Sequence, residues 1–197
     1  QMDKVTNSIY KGLESIKYLN ADVSDKLYEM RNIHFDSFID FLNVSPLNSR
    51  QLDILVKLDF FSEFGKSLKL LKIIDLYNLL HGKKQIKKEK TDLPIEVLEK
   101  YCVSETEKMY KFDNEHMDAM LSDLCVRIPN TDIPLQTKLQ TEQEMLGYIS
   151  YTNPSSLNIA VVMDLNTKYS TFKAQLYRLS DGQTITVKIK RKSYEQM

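Results

Sequence analysis

From Ile9 to about Leu80 the apolar residues return every three or four positions, a spacing that commits this part of the chain to short amphipathic helices. Leu13, Ile16, Leu19, Val23, Leu27 and Met30 form the first stripe; Phe35, Phe38, Ile39 and Leu42 the second; Leu52, Leu55 and Val56 the third. The breaks between them are chemically consistent. Asn20-Ala21-Asp22 is turn-like, Ser45-Pro46 stops a helix because proline cannot continue one, and Asn48 or Ser49 can cap the next by accepting a free amide. Residues 67–80 read as a longer helix that ends at His81-Gly82, where the glycine supplies a left-handed stop.

Lys83 to Lys90 is rich in lysine and lacks periodicity, which predicts a linker over residues 83–92. Helical spacing returns over residues 93–128, first around Ile95, Val97, Leu98 and Tyr101, then through Met117, Met120, Leu121, Leu124 and Cys125, and Pro129-Asn130 ends it. Leu135 to Leu146 predicts one more helix before Gly147. After Pro154 the period changes to two: residues 159–165 and 184–190 read as strands, with a looser alternation over 171–179 and an Asp181-Gly182 hairpin signal between them. The expectation is an α+β chain, mostly α-helical for its first 150 residues and closed by a small antiparallel sheet.

Composition narrows the function classes. With 42% hydrophobic and 27% charged residues among 197, the chain is too apolar to be disordered and has no run of the roughly 20 apolar residues that cross a bilayer. The start, Gln1-Met2-Asp3-Lys4, carries no apolar segment marking secretion, and a cytoplasmic piece of a longer protein is expected. Cys102 and Cys125 lack metal spacing, and the three histidines His34, His81 and His116 lie far apart, so no metal, cofactor or catalytic group is expected. Asp113, Glu115 and Asp118 crowd around His116 and read as a solvated helix face. Net charge is zero, which leaves only local basic patches as an argument for nucleic acid.

The stretch Leu13-Glu-Ser-Ile16-Lys17-Tyr18-Leu19-Asn20-Ala-Asp-Val23-Ser-Asp-Lys-Leu27-Tyr-Glu-Met-Arg31 has the layout of a helix-hairpin-helix and resembles one region of the bacterial DNA polymerase III alpha chain. The resemblance continues through Phe35-Asp-Ser-Phe38-Ile-Asp40-Phe41-Leu42, Asn48-Ser-Arg50-Gln-Leu52 and Leu58-Asp59-Phe60-Phe61 with Gly65, the last looking like the family's second hairpin. Glu142-Gln-Glu144-Met-Leu146-Gly147-Tyr148-Ile149 is similar to the segment that precedes the family's OB-fold. The order of these pieces is the family's, while residues 83–141 match nothing in it.

The resemblance implies residues 1–82 as a tandem helix-hairpin-helix domain and 151–197 as a partial OB-fold, while the helical spacing makes 93–150 a helical connection between them. It implies DNA, duplex and single-stranded template, as the partner, together with other replisome subunits and no membrane. The implied contacts are Lys17, Tyr18 and Asn20 at the first hairpin, Asp59 at the second, and Lys188, Lys190 and Arg191 on the sheet, where Lys192, Tyr169, Phe172 and Tyr177 are also available for phosphates and stacked bases. Hairpins of this kind bind phosphate because glycines let backbone amides approach it closely. Here Tyr18 and Asn20 stand where the family has glycines; Asn tolerates a left-handed backbone, whereas Tyr18 brings a side chain to where a phosphate would approach. The parent chain's catalytic carboxylates lie upstream in the family and have no counterpart here.

Two other readings stay open at this stage. One is a structural or protein-interaction segment that has lost DNA contact; the other is an unrelated small enzyme built on residues 91–141.

Overall fold

The computed structural model describes residues 12–168 and 171–190, together with the backbone of two short strands, β1 (Met2–Asp3) and β2 (Ser8–Ile9), which pair antiparallel. Seven α-helices and two three-stranded antiparallel sheets among these residues make the chain α+β. It divides into two units: Gln1–Arg31, Asn48–Leu58 and Ile133–Met197 form one, Asn32–Leu47 and Asp59–Asp132 the other.

In the first unit a single 3-10 turn, Leu13–Ser15, precedes a five-residue loop and helix α1 (Ala21–Glu29), which buries Val23 and Leu27 at the spacing the sequence predicts. Helix α3 (Ser49–Lys57) opens on a capping box: Asn48 accepts from the Gln51 amide while the Gln51 side chain accepts from the Asn48 amide. Helix α7 (Leu135–Leu146) ends at Gly147 with φ 81°, and it lies on a sheet of order β6 (Ala160–Asn166), β7 (Thr171–Arg178), β8 (Thr184–Lys190).

The register of that sheet shifts between Val162 and Asp164, so strand β6 carries an extra residue there. Gln136 and Gln140 of α7 donate to the Val162 and Met163 carbonyls, 2.7 and 3.1 Å away, and hold the irregular stretch against the helix. Leu139, Tyr177 and Leu179 are the buried centre of this contact, with Val161 and Met163 beside them. The β7–β8 turn uses Gly182 at φ 71°; a methyl group there would stand 3.0 Å from the Tyr177 hydroxyl, so both backbone and space require glycine.

The second unit is built on aromatic rings and two long helices. Helix α2 (Phe38–Val44) inserts Phe38 and Phe41 against Phe61, with ring centroids 5.4 and 4.7 Å apart, while α4 (Ser67–Leu80), α5 (Ile95–Tyr101) and α6 (Asn114–Arg127) supply Leu70, Leu98, Met117, Met120 and Leu121, all at most 2% exposed. Hydrogen bonds from Arg127, then from Lys100, draw the Asp123 carboxyl down to about 2, which fastens the α5–α6 pair at its solvent side. Asp113 caps α6 by accepting from the His116 amide at 2.8 Å, and that bond leads the lowering of its pKa.

A second sheet lies where the sequence predicts a linker and a helical connecting region. Strands β3 (Gln85–Lys87), β4 (Ser104–Glu105) and β5 (Met109–Lys111) pair in the order β3-β5-β4. They are too short to show an alternation, and Tyr110 is the buried side chain on which they close. The lysine-rich stretch is therefore partly an edge strand.

Candidate nucleic-acid interface

The loop Ile16-Lys17-Tyr18-Leu19-Asn20 stands where the first hairpin turn is expected. Its apolar members Ile16 and Leu19 are buried, and its polar members Lys17, Tyr18 and Asn20 are exposed. Tyr18 has φ 71°, the left-handed conformation that glycine serves in a hairpin of this type. A left-handed tyrosine costs roughly 1–2 kcal/mol, so something must hold it. Two contacts do: the Gln51 side-chain amide donates to the Tyr18 carbonyl at 3.0 Å, and the Arg50 guanidinium lies 3.4 Å from the centre of the Tyr18 ring.

Asn20 is the N-cap of α1, its side chain accepting from the Val23 amide at 3.0 Å. The Lys17 amide donates to the Met145 carbonyl and the Leu19 amide to that of Ile16. The amides of Tyr18, Asn20, Ala21 and Asp22 have no partner among the described residues, and those of Ala21 and Asp22 belong to the first turn of α1, the positive end of its dipole. Lys17 and Arg50 stand exposed beside them without a carboxylate partner among the described residues, while Asp22 is neutralised by Lys26 at 2.9 Å. This loop brings together backbone donors, two cations and a helix N-terminus, the elements from which phosphate contacts are assembled.

The Asp59 turn, expected as a second hairpin, differs. Asp59 is left-handed, with φ 58°, and exposed, but the N-terminus of α4 that follows is already filled by the chain's own groups. Asn130 accepts from the Lys66 amide at 2.8 Å, Asp132 from the Ser67 amide and hydroxyl at 3.3 and 3.0 Å, and the Thr131 carbonyl from the amides of Leu68 and Lys69. An external phosphate would have to displace the Asp132 carboxylate. The left-handed turn is present, but the amides it would offer are taken.

On the C-terminal sheet Lys188 sits directly opposite Lys173, and Lys190 opposite Thr171, so three exposed lysines share the polar face near one end. Like charges placed across a strand pair repel, which favours an anion between them. Arg191, Lys192 and Tyr169 lie outside the described residues. Phe172 and Tyr177, expected as stacking platforms for bases, are 7% and 3% exposed and belong to the interior. The Tyr177 hydroxyl donates to the Tyr151 carbonyl at 2.7 Å. Rings placed there have no face to offer.

Arg50, Gln51 and Lys173 are the residues that sequence reasoning did not single out. Arg50 and Gln51 lie more than thirty positions from Tyr18, and only the fold brings them to it.

Residues 2–71 match the family model described as a helix-hairpin-helix motif. This stretch holds the Tyr18 loop, α1, α2, α3, the Asp59 turn and the start of α4, and the match supports nucleic acid, DNA in particular, as its partner. No curated protein and no solved structure matches the chain. Among the described residues no helix is long and apolar enough to cross a membrane, and no group of three His, Cys, Asp or Glu side chains is placed to hold a metal ion.

Proposed function

We propose that this chain is a non-catalytic DNA-binding segment, which grips the sugar-phosphate backbone through its first hairpin and serves to position primer-template DNA. The observation that carries the reading is the left-handed Tyr18 turn opening onto the exposed N-terminus of α1, flanked by Lys17 and Arg50, inside the stretch that matches a helix-hairpin-helix. Contacts of this kind hold a backbone and leave the bases unread. The resemblance of residues 9–80 and 142–190 to the bacterial replicative polymerase III alpha chain supports placing this role in DNA replication, with catalysis on another part of a parent DNA polymerase. In that reading the three-stranded sheet is the beginning of an OB-type barrel, and Lys173, Lys188 and Lys190 meet the single-stranded template.

A second reading, a structural or partner-docking segment that has given up DNA, is favoured by one feature. The Tyr18 side chain and the Asn20 cap occupy part of the space and one of the amides that a glycine hairpin would leave to a phosphate.

Tyr18→Gly separates the two. Glycine removes the left-handed strain but forfeits the Arg50 stack and adds unfolded-state entropy, so stability should change by no more than about 1 kcal/mol. If the hairpin is a phosphate site, the variant should bind a fluorescein-labelled primer-template several-fold more tightly in an anisotropy titration, because the amides become more accessible. Equal or weaker binding by a folded variant favours the docking reading.

A further inference from the structure

In the second unit a groove of about 460 Å³ runs beside the lysine-rich strand β3. Its floor is apolar: Leu79 and Leu80 from the end of α4, Ile86 of β3, Leu93, and Met109 of β5. Its rim is basic. Lys83 and Lys87 line it, Lys84 adjoins them, and all three are exposed without an ion pair among the described residues; Asp92 is the one carboxylate in the lining. Lys88, by contrast, is tied to Glu105 at 2.6 Å and lies over the Tyr110 ring.

Strand β3 is also an open edge. The Lys84 carbonyl accepts from the Phe112 amide and the Lys88 amide donates to Lys108, with Ile86 paired to Tyr110 between them. In an antiparallel ladder the intervening residues, Gln85 and Lys87, then direct their backbone groups away from β5. Lysines on such an edge discourage indiscriminate strand pairing, and they leave a segment of opposite charge as the one that can pair.

We infer that this groove binds an extended acidic peptide segment of a protein partner, which adds a strand to β3, sets alternate apolar side chains among Leu79, Ile86 and Met109, and places carboxylates on Lys83 and Lys87. The apolar floor and the edge backbone favour a peptide over nucleic acid, because single strands are held by stacking aromatics and none lines this groove. An exposed Leu79, 47% accessible in the absence of a partner, is the side chain such a segment would cover.

The test is fluorescence polarisation of the whole chain with a short fluorescein-labelled peptide alternating glutamate and leucine. Saturable binding is expected, weakened about tenfold by Lys83→Glu combined with Lys87→Glu, and about tenfold by Leu79→Ser, each loss corresponding to about 1.4 kcal/mol. Circular dichroism of both variants should match the parent, since all three positions are exposed. An unlabelled oligothymidylate should not displace the peptide. The inference is overturned by absence of saturable binding, by equal binding of a peptide with glutamine in place of leucine, by folded variants that bind like the parent, or by displacement with the oligonucleotide.

Discussion

A chain carrying Lys17→Glu together with Arg50→Glu is expected to bind primer-template DNA on the order of a hundredfold more weakly than the parent, since charge-assisted hydrogen bonds are worth about 1.5–3 kcal/mol each. Both side chains are exposed and neither carries a buried contact, so folding should be preserved. Arg50 matters twice: it brings a cation to the hairpin, and by stacking on Tyr18 it steadies the left-handed turn that presents the amides. The salt dependence should flatten as well, by roughly 0.9 in the log-log slope for each phosphate contact removed. If the double reversal leaves affinity unchanged while Lys188→Glu with Lys190→Glu abolishes it, the sheet and not the hairpin carries the contact.

Phe41→Ala should produce the largest loss of stability. The ring is 4% exposed and touches three others: Phe61 at 4.7 Å, Phe35 edge-on at 5.6 Å and Phe38 at 6.0 Å between centroids. Removing a buried phenylalanine side chain costs about 3–5 kcal/mol, through lost transfer energy and the cavity left behind. A urea titration followed by circular dichroism should show the midpoint of the transition that reports on this unit moving down with its slope unchanged. A loss below about 1 kcal/mol would mean that the four-ring cluster collapses to fill the space and contributes little.

The sequence announces these helices because each buries one face. Leu70, Ile73 and Ile74 in α4, and Met117, Met120, Leu121 and Leu124 in α6, recur at helical spacing, and Gly82 and Pro129 punctuate their ends. Strands β6, β7 and β8 were legible for the same reason at period two. What alternation cannot tell is which face lies inside. Phe172 and Tyr177 are five positions apart and point to opposite faces of β7, yet both are buried; Leu139 of α7 packs on Tyr177. Strands β3, β4 and β5 span two or three residues each, too few for a period, and they form through pairings such as Gln85 with Lys111 that have no local signature.

The candidate site divides in the same way. Lys17, Tyr18 and Asn20 sit together in sequence, and their turn is expected only from the family resemblance, since Ile16 and Leu19 fit the helical stripe and lie in the loop instead. The Arg50 stack, the Gln51 bond to the Tyr18 carbonyl and the closing of α4 by Asp132 each join residues at least thirty positions apart. Such contacts depend on the folded chain and leave no trace in composition or period. The zero net charge is likewise uninformative about a local patch: it reports a sum, whereas a phosphate meets only the charges within about a Debye length, roughly 10 Å.

The most direct measurement of the central claim is an anisotropy titration of the whole chain with a labelled primer-template at about 50 mM and about 200 mM salt, the range over which counterion release is readily resolved. Two phosphate contacts at the hairpin predict saturable binding that weakens about tenfold across that interval, with a log-log slope near −1.8. Absence of binding at the lower salt, or binding indifferent to salt, would contradict phosphate capture by the Tyr18 hairpin.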